Sequence, residues 1–264
     1  MRNYEVNRPY SQSQALLQFI GGLPSSFDEG GTPLWNGRNK IKAFSLGGQD
    51  ASQAALDVVV KSFKRPSVFQ KVVYALRTHK AKRAYLNGLE LTRRGVATPE
   101  PVAYVELRQG PWLTAAYYLS RPTSLPSIEG ETDRPDWNRQ LAADFGSYVA
   151  QLHAKGILHH DLNDTNVLFS RGGDGRYSFE VIDINRMAFY PDADHIPEGE
   201  LLENLTRFTG NMELFEYVVR AYAGARQMAD AEAFVARALA RKQRHDLRWR
   251  RRKAFCRLFK RKKK

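Results

Sequence analysis

The chain has 264 residues, 42% of them hydrophobic, enough for one large core or two modest lobes. Its net charge of +13 sits at one end: residues 241–264 hold 14 Lys/Arg against a single acid, Asp246, which leaves 27 basic and 27 acidic side chains in a neutral body. One cysteine, Cys256, excludes an intrachain disulfide and a thiolate zinc site, and the absence of a secretory h-region or a long apolar run points to a cytosolic or membrane-peripheral protein.

Residues 1–26 read as an N-terminal extension that starts polar, with a short helix over Ser13–Ile20 stopped by Gly21, Gly22 and Pro24. From Phe27 onward strands and turns dominate. "LWNGRNKIKAF" reads as strand, turn, strand about the dipeptide Asn36–Gly37. "ALDVVVKSF" is a β-branched run of the kind that forms a buried strand, and it carries Lys61. A helix is expected over 78–95, with Gly95 as its stop. "VAYVEL" and "WLTAAYYLS" then form a strand pair joined through "RQGP". These elements make one lobe, 27–120.

Residues 121–135 are rich in Pro, Ser and Thr and mark the lobe boundary. A second lobe, 121–240, is mostly helical. It opens with a long helix over 136–156, whose apolar face holds Leu141, Phe145, Tyr148, Val149 and Leu152. The segment "ILHHDLNDTN" follows, then a hairpin of "NVLFS" and "YSFEVIDI" about "RGGDGR", and then further helices. The fold class is α+β, two-lobed and protein-kinase-like in order, with an antiparallel-sheet N-lobe carrying one main helix and a helical C-lobe.

Four side chains fall where phosphoryl transfer needs them. Asp183 is a carboxylate inside a strand, where an apolar residue is the usual choice. With the amide oxygen of Asn166 it makes a pair of hard ligands suited to Mg²⁺ carrying phosphates. Asp161, five residues before Asn166, suits the role of proton acceptor for an attacking hydroxyl. Lys61 supplies a point charge for phosphate oxygens, against the plainer reading of an edge-strand lysine.

The order of these parts resembles the protein-kinase-like fold over roughly residues 27–225. "VVVK" is similar to the strand motif VAIK, "HHDLNDTN" to the catalytic loop HRDLxxxxN with an Asp-to-Asn spacing of five, and "IDIN" to DFG. More closely, "LHAKGILHHDLNDTNVLF", "VIDINRM" and "RAYLNGLELTRRGVATPEPVAY" resemble the lipopolysaccharide core kinase family. That resemblance implies ATP as donor, Mg²⁺, and a Kdo or heptose hydroxyl on a lipid A-linked sugar as acceptor. It places the reduced glycine-rich loop at Asn36, Gly37, Arg38 and Asn39. The helix residue that positions Lys61 is Asn87 in the family register, or Glu90 one turn further on. The chain departs from the pattern in lacking the DFG glycine. No Ala-Pro-Glu motif and no long activation segment follow Asp183, which argues against a regulated protein kinase. A catalytically weak nucleotide- or partner-binding protein, or a kinase for a protein or a soluble small molecule, are the alternative readings.

His153, His159 and His160 read as satisfied structural histidines before metal ligands. Asn163 and Asp164 carry two readings, turn-forming polarity or contact with phosphate or acceptor. In the basic tail, 241–264, Leu247, Ala254, Phe255, Leu258 and Phe259 fall broadly on one side of a helix. Such a surface suits an anionic membrane, on the inner face of the cytoplasmic membrane, more than nucleic acid.

Overall fold

The computed structural model describes residues 1–47, 55–67, 74, 78–132 and 134–261, with side chains to residue 252. The chain divides into two units. The first is Met1–Ser124 together with Val181–Arg186, and the second is Leu125–Glu180 together with Met187–Lys264.

Unit 1 is built on an antiparallel sheet of β1 (Arg2–Val6), β2 (Thr32–Asn36), β3 (Lys40–Leu46), β4 (Leu56–Ser62), β5 (Pro101–Gln109) and β6 (Trp112–Ser120). The strand order is β1-β5-β6-β4-β3-β2. Side chains alternate across the pleat, so the strand that carries Lys61 serves two faces. Val58 and Val60 turn to one face and pack with Leu16, Phe19, Ile20 and Phe27 of α1 (Gln14–Gly22) and α2 (Ser25–Glu29). Lys61 belongs to the other face. It lies opposite Tyr118 in the register, beside the layer made by α3 (Lys80–Arg93), where Tyr85 and Tyr104 bring their rings to 5.4 Å.

The N-terminal residues differ from the expectation of an extension. Arg2–Val6 pair with Ala103–Leu107 and form a sheet edge, and α1 fills one core. β1 is nearly all exposed, so no apolar alternation announced it. The first helix also runs through both glycines to Gly22, and Phe27, read as the start of strand structure, is helical.

Unit 2 has a helical core. Its main elements are α4 (Glu129–Thr132), α5 (Arg139–Ala154), α6 (Glu198–Leu205), α7 (Met212–Ala225) and α8 (Ala231–Arg261). The apolar face expected for α5 is the one buried, through Leu141, Phe145, Val149 and Leu152. Gly146 permits a close approach of α7: a Cβ there would sit 2.5 Å from Val218 O. The hairpin appears as β8 (Val167–Arg171) and β9 (Tyr177–Val181). A second small pair, β7 (Ile157–His159) with β10 (Met187–Phe189), brackets the loop that holds Asp161. Each of its strands is three residues long, too short for periodicity to reveal.

Candidate active site

Asp183 follows the hairpin yet clusters with unit 1, whereas the sequence placed it in the helical lobe. Local bonds draw it there. Val181 N donates to Ala97 O at 3.1 Å, Thr98 Oγ1 donates to Val181 O at 2.8 Å, and Asn87 Nδ2 donates to Ile184 O at 2.7 Å. Gly88 lets Ile184 come close, because a Cβ at that position would lie 3.2 Å from Ile184 Cδ1. The aspartate itself sits at φ 54°, a left-handed conformation uncommon for a residue with a side chain.

Lys61 Nζ donates to Asp183 Oδ1 at 2.8 Å, with side-chain exposures of 17% and 32%. A lysine in the middle of the sheet is thus held by a carboxylate 122 positions later in the chain. The two helix residues considered for this role are engaged elsewhere. Asn87 holds the Ile184 carbonyl, while Glu90 takes Arg93 and Arg94 at 2.6–2.7 Å. The hydrogen bond from Arg93 chiefly drives the Glu90 carboxyl down to a pKa of about 2. Asn185, which replaces the usual glycine, donates Nδ2 to Asp183 Oδ1. Its Oδ1 is buried with no partner among the described residues. Of the turn 36–39, Arg38 is exposed, and Asn39 Oδ1 accepts from Lys64 N at 3.2 Å.

The loop of unit 2 is braced by its neighbours. His159 is fully buried, and its Nδ1 accepts from Asp161 N at 3.2 Å. Asn166 Nδ2 donates to Asp161 O at 2.9 Å, which turns the amide oxygen of Asn166 away from that contact. Asn163 caps the turn, with Oδ1 accepting from Asn166 N at 3.1 Å and Thr165 Oγ1 at 2.6 Å. Asp164 is buried and accepts from Thr132 Oγ1 at 3.1 Å. Asp161 itself is half-buried, and His160 is exposed.

Behind the loop runs a chain of buried polar groups. Tyr222 OH lies 2.9 Å from His153 Nδ1, and His153 Nε2 lies 2.8 Å from Asn204 Oδ1. Asn204 Nδ2 in turn donates to His159 O at 2.6 Å. Since the Asn204 oxygen only accepts, His153 carries its proton on Nε2. Burial lowers the His153 pKa to about 4, so the ring is neutral and serves as a spacer in this chain. Sequence reasoning identified His153 as structural, but not Asn204, whose only signal was a polar residue within an apolar helix face.

The donor set fits a hard cation. In unit 1 Asp183 is a carboxylate with the buried Asn185 amide beside it, and in unit 2 the amide oxygen of Asn166 stands outside its hydrogen bond; each is a hard oxygen donor. Among the described residues no group of three or more His, Cys, Asp or Glu could hold a metal by itself.

A sheet whose lysine pairs with an aspartate beyond a hairpin, and a helical unit with an Asp-x4-Asn loop, define a kinase-like phosphotransferase. The fold matches that of WaaP in complex with acyl carrier protein at a TM-score of 0.54, with 16% identity over 91% of this chain and 97% of that one. The chain belongs to the lipopolysaccharide kinase (Kdo/WaaP) family, whose model matches residues 67–212, just over half of its length. It is 25% identical over 182 residues to the 3-deoxy-D-manno-octulosonic acid kinase of Vibrio vulnificus (strain YJ016), covering 66% of this chain and 73% of that protein. The enzyme of the same name from Xanthomonas oryzae pv. oryzae (strain PXO99A) is 33% identical over 86 residues, covering 33% of this chain and 34% of that one. The activity is therefore that of a kinase acting on a sugar hydroxyl of lipopolysaccharide.

Proposed function

We propose that the chain transfers the γ-phosphoryl group of ATP to a hydroxyl of a Kdo sugar on a lipid A-type acceptor. The observation that carries this reading is the Lys61–Asp183 ion pair, 2.8 Å long, with Asn185 fastened to the same carboxylate. The names of the Vibrio and Xanthomonas relatives favour Kdo over heptose.

In this reading the Asp161 carboxylate accepts the hydroxyl proton as the acceptor oxygen attacks the γ-phosphorus. The bond to the β–γ bridging oxygen breaks, and ADP leaves. The Lys61 ammonium holds phosphate oxygens, assisted by the turn 36–39. Asp183 and Asn166 would hold Mg²⁺, which when bound neutralises charge on the phosphates. Asn163, Asp164, His159 and the His153–Asn204 chain hold the loop in place.

We also assign the end of α8 to an anionic membrane surface beside the acceptor. Arg248, Arg250, Arg251 and Arg252 are exposed, as are Leu247 and Trp249. The side chains of Ala254, Phe255, Leu258 and Phe259 lie outside the described residues. The helix start is different in character. Lys242 is only 4% exposed and donates to Phe208 O at 2.8 Å, and Arg241 pairs with Glu203 at 3.2 Å. Among the described residues no helix is long and apolar enough to cross a membrane.

The test is incubation with labelled ATP and a panel of Kdo-, heptose- and protein acceptors, followed by mass analysis. Phosphate on the Kdo acceptor is the expected product. Phosphate on heptose or protein alone would overturn the substrate, and no transfer to any acceptor would overturn the activity.

A further inference from the structure

A cavity of about 380 Å³ opens in unit 1, outside the Lys61–Asp183 pair. Its size is at the lower end of small-molecule sites. Four cations line it, Arg38, Lys64, Arg65 and Lys80, together with Asn39, His79 and Ser67, and no described lining residue is acidic; Arg38 and Asn39 belong to the turn assigned above to the ATP phosphates, so the cavity adjoins that turn and Lys64, Arg65 and Lys80 are the cations left for a second anion. Among the described residues none of the four cations forms an ion pair with a carboxylate. Unneutralised like charges raise the energy of the empty site and favour an anion within it. Lys80 reports the crowding. Its pKa is lowered first by burial and then by Arg38, Arg186 and Arg83, while Asp183 acts in the opposite sense.

His79 adds a neutral donor. It is 2% exposed, edge-on to Phe63 and Tyr74, and caps α3 by accepting from Ala81 N through Nδ1. Its proton is therefore on Nε2. Burial, with Lys80, Arg83 and Arg108, lowers its pKa to about 4, so it offers an N–H and no added charge. The N-terminal end of α3 contributes further positive potential.

We propose that this cavity binds an anionic substituent of the acceptor, a carboxylate or a phosphate, at a distance from the hydroxyl that is phosphorylated. The proposal rests on the reading above that the acceptor is a lipid-linked inner-core sugar. Phe63 lines the cavity and has Lys61 Nζ 5.6 Å from its ring centroid, which puts the site near the phosphate-handling pair, while neither Lys61 nor Asp183 lines it. An acceptor held there by its charge would be oriented as well as bound.

The double variant Lys64→Ala/Arg65→Ala tests this, since both side chains are exposed and neither has a catalytic assignment. Full-length wild type and variant are titrated by calorimetry with 3-deoxy-D-manno-octulosonate, its methyl ester, glucosamine 1-phosphate and ATP. The variant should bind the sugar acid or the sugar phosphate at least about tenfold more weakly, as expected when charge-assisted bonds are lost. Weakening of the first marks a carboxylate site, and weakening of the second a phosphate site. The methyl ester and ATP should bind both proteins within about twofold. Unchanged affinity for both anionic sugars, or a parallel loss of ATP affinity, would overturn the proposal. Transfer by wild type to the lipid-linked acceptor is measured alongside: its absence counts against the function, whereas an active wild type with an unaffected variant counts against this cavity alone.

Discussion

Lys61 and Asp183 meet at 2.8 Å although 122 positions separate them. The contact depends on three features of unit 1: the pleat that turns Lys61 away from Val60, the left-handed backbone at Asp183, and Asn87 holding the next carbonyl. Lys61→Met should lower kcat/KM by about 10²-fold or more if the ammonium stabilises the transferring phosphoryl group. The pair is partly solvated, so unfolding should shift by only about 1 kcal/mol. Steady-state kinetics and a urea titration read the two effects separately.

Gly88 is where α3 passes closest to the segment carrying Asp183. A Cβ there would lie 2.5 Å from Pro101 Cγ and 3.2 Å from Ile184 Cδ1. Gly88→Ala gains helix propensity of about 1 kcal/mol, but relieving the clash costs about 1–3 kcal/mol. The strain falls first on Pro101 and also on Ile184, next to Asp183, so turnover should drop along with stability. A urea midpoint and kcat measured on the same preparation would show it.

The buried His153 gives stability a pH dependence of known sign. Its pKa falls from 6.5 to about 4 on folding, so the unfolded chain binds the extra proton. The contribution of His153 is full above about pH 6.5 and declines down to about pH 4, by on the order of 3 kcal/mol. His153→Gln should remove its share of the decline, leaving the part due to the similarly shifted His79, in urea titrations run between these limits. A slope unchanged by the substitution would contradict the assignment. Asn204→Ala, which leaves His153 Nε2 without its acceptor, should cost about 1–3 kcal/mol and lower kcat through the His159 carbonyl.

α8 joins a structural segment to a surface segment. Lys242→Met should destabilise the fold and leave vesicle binding unchanged, because its ammonium is spent on Phe208 O and Thr206 O. Neutralising Arg248, Arg250, Arg251 and Arg252 together should do the reverse. With about 1 kcal/mol per surface cation, partition onto anionic vesicles at low salt should fall about 10²-fold or more. Sedimentation with lipid vesicles distinguishes the two variants.

Local signals made most elements readable. Asn36–Gly37 sits at the start of the β2–β3 turn, Gly95 and Gly156 take positive φ after their helices, and the α5 stripe is buried as spaced. Long-range relations were not readable in the same way. β1 is an edge strand with scarcely any buried side chain, so it lacks the alternation that marks a strand. The return of Val181–Arg186 to unit 1 is decided by bonds to Ala97, Thr98 and Asn87, which no window of neighbouring residues contains. For the same reason the sequence offers Lys61 partners on the nearer helix, Asn87 or Glu90, whereas the carboxylate beside it is that of Asp183. The Asp161–Asn166 contact is legible as a spacing of five, since the bond from Asn166 Nδ2 to Asp161 O lies within it.

The most direct test of the account is Asp161→Ala, assayed with ATP and a Kdo–lipid A-type acceptor. Transfer should fall by about 10²–10⁴-fold, the contribution of a positioned general base, with ATP affinity and melting temperature nearly unchanged. Turnover equal to wild type would contradict it.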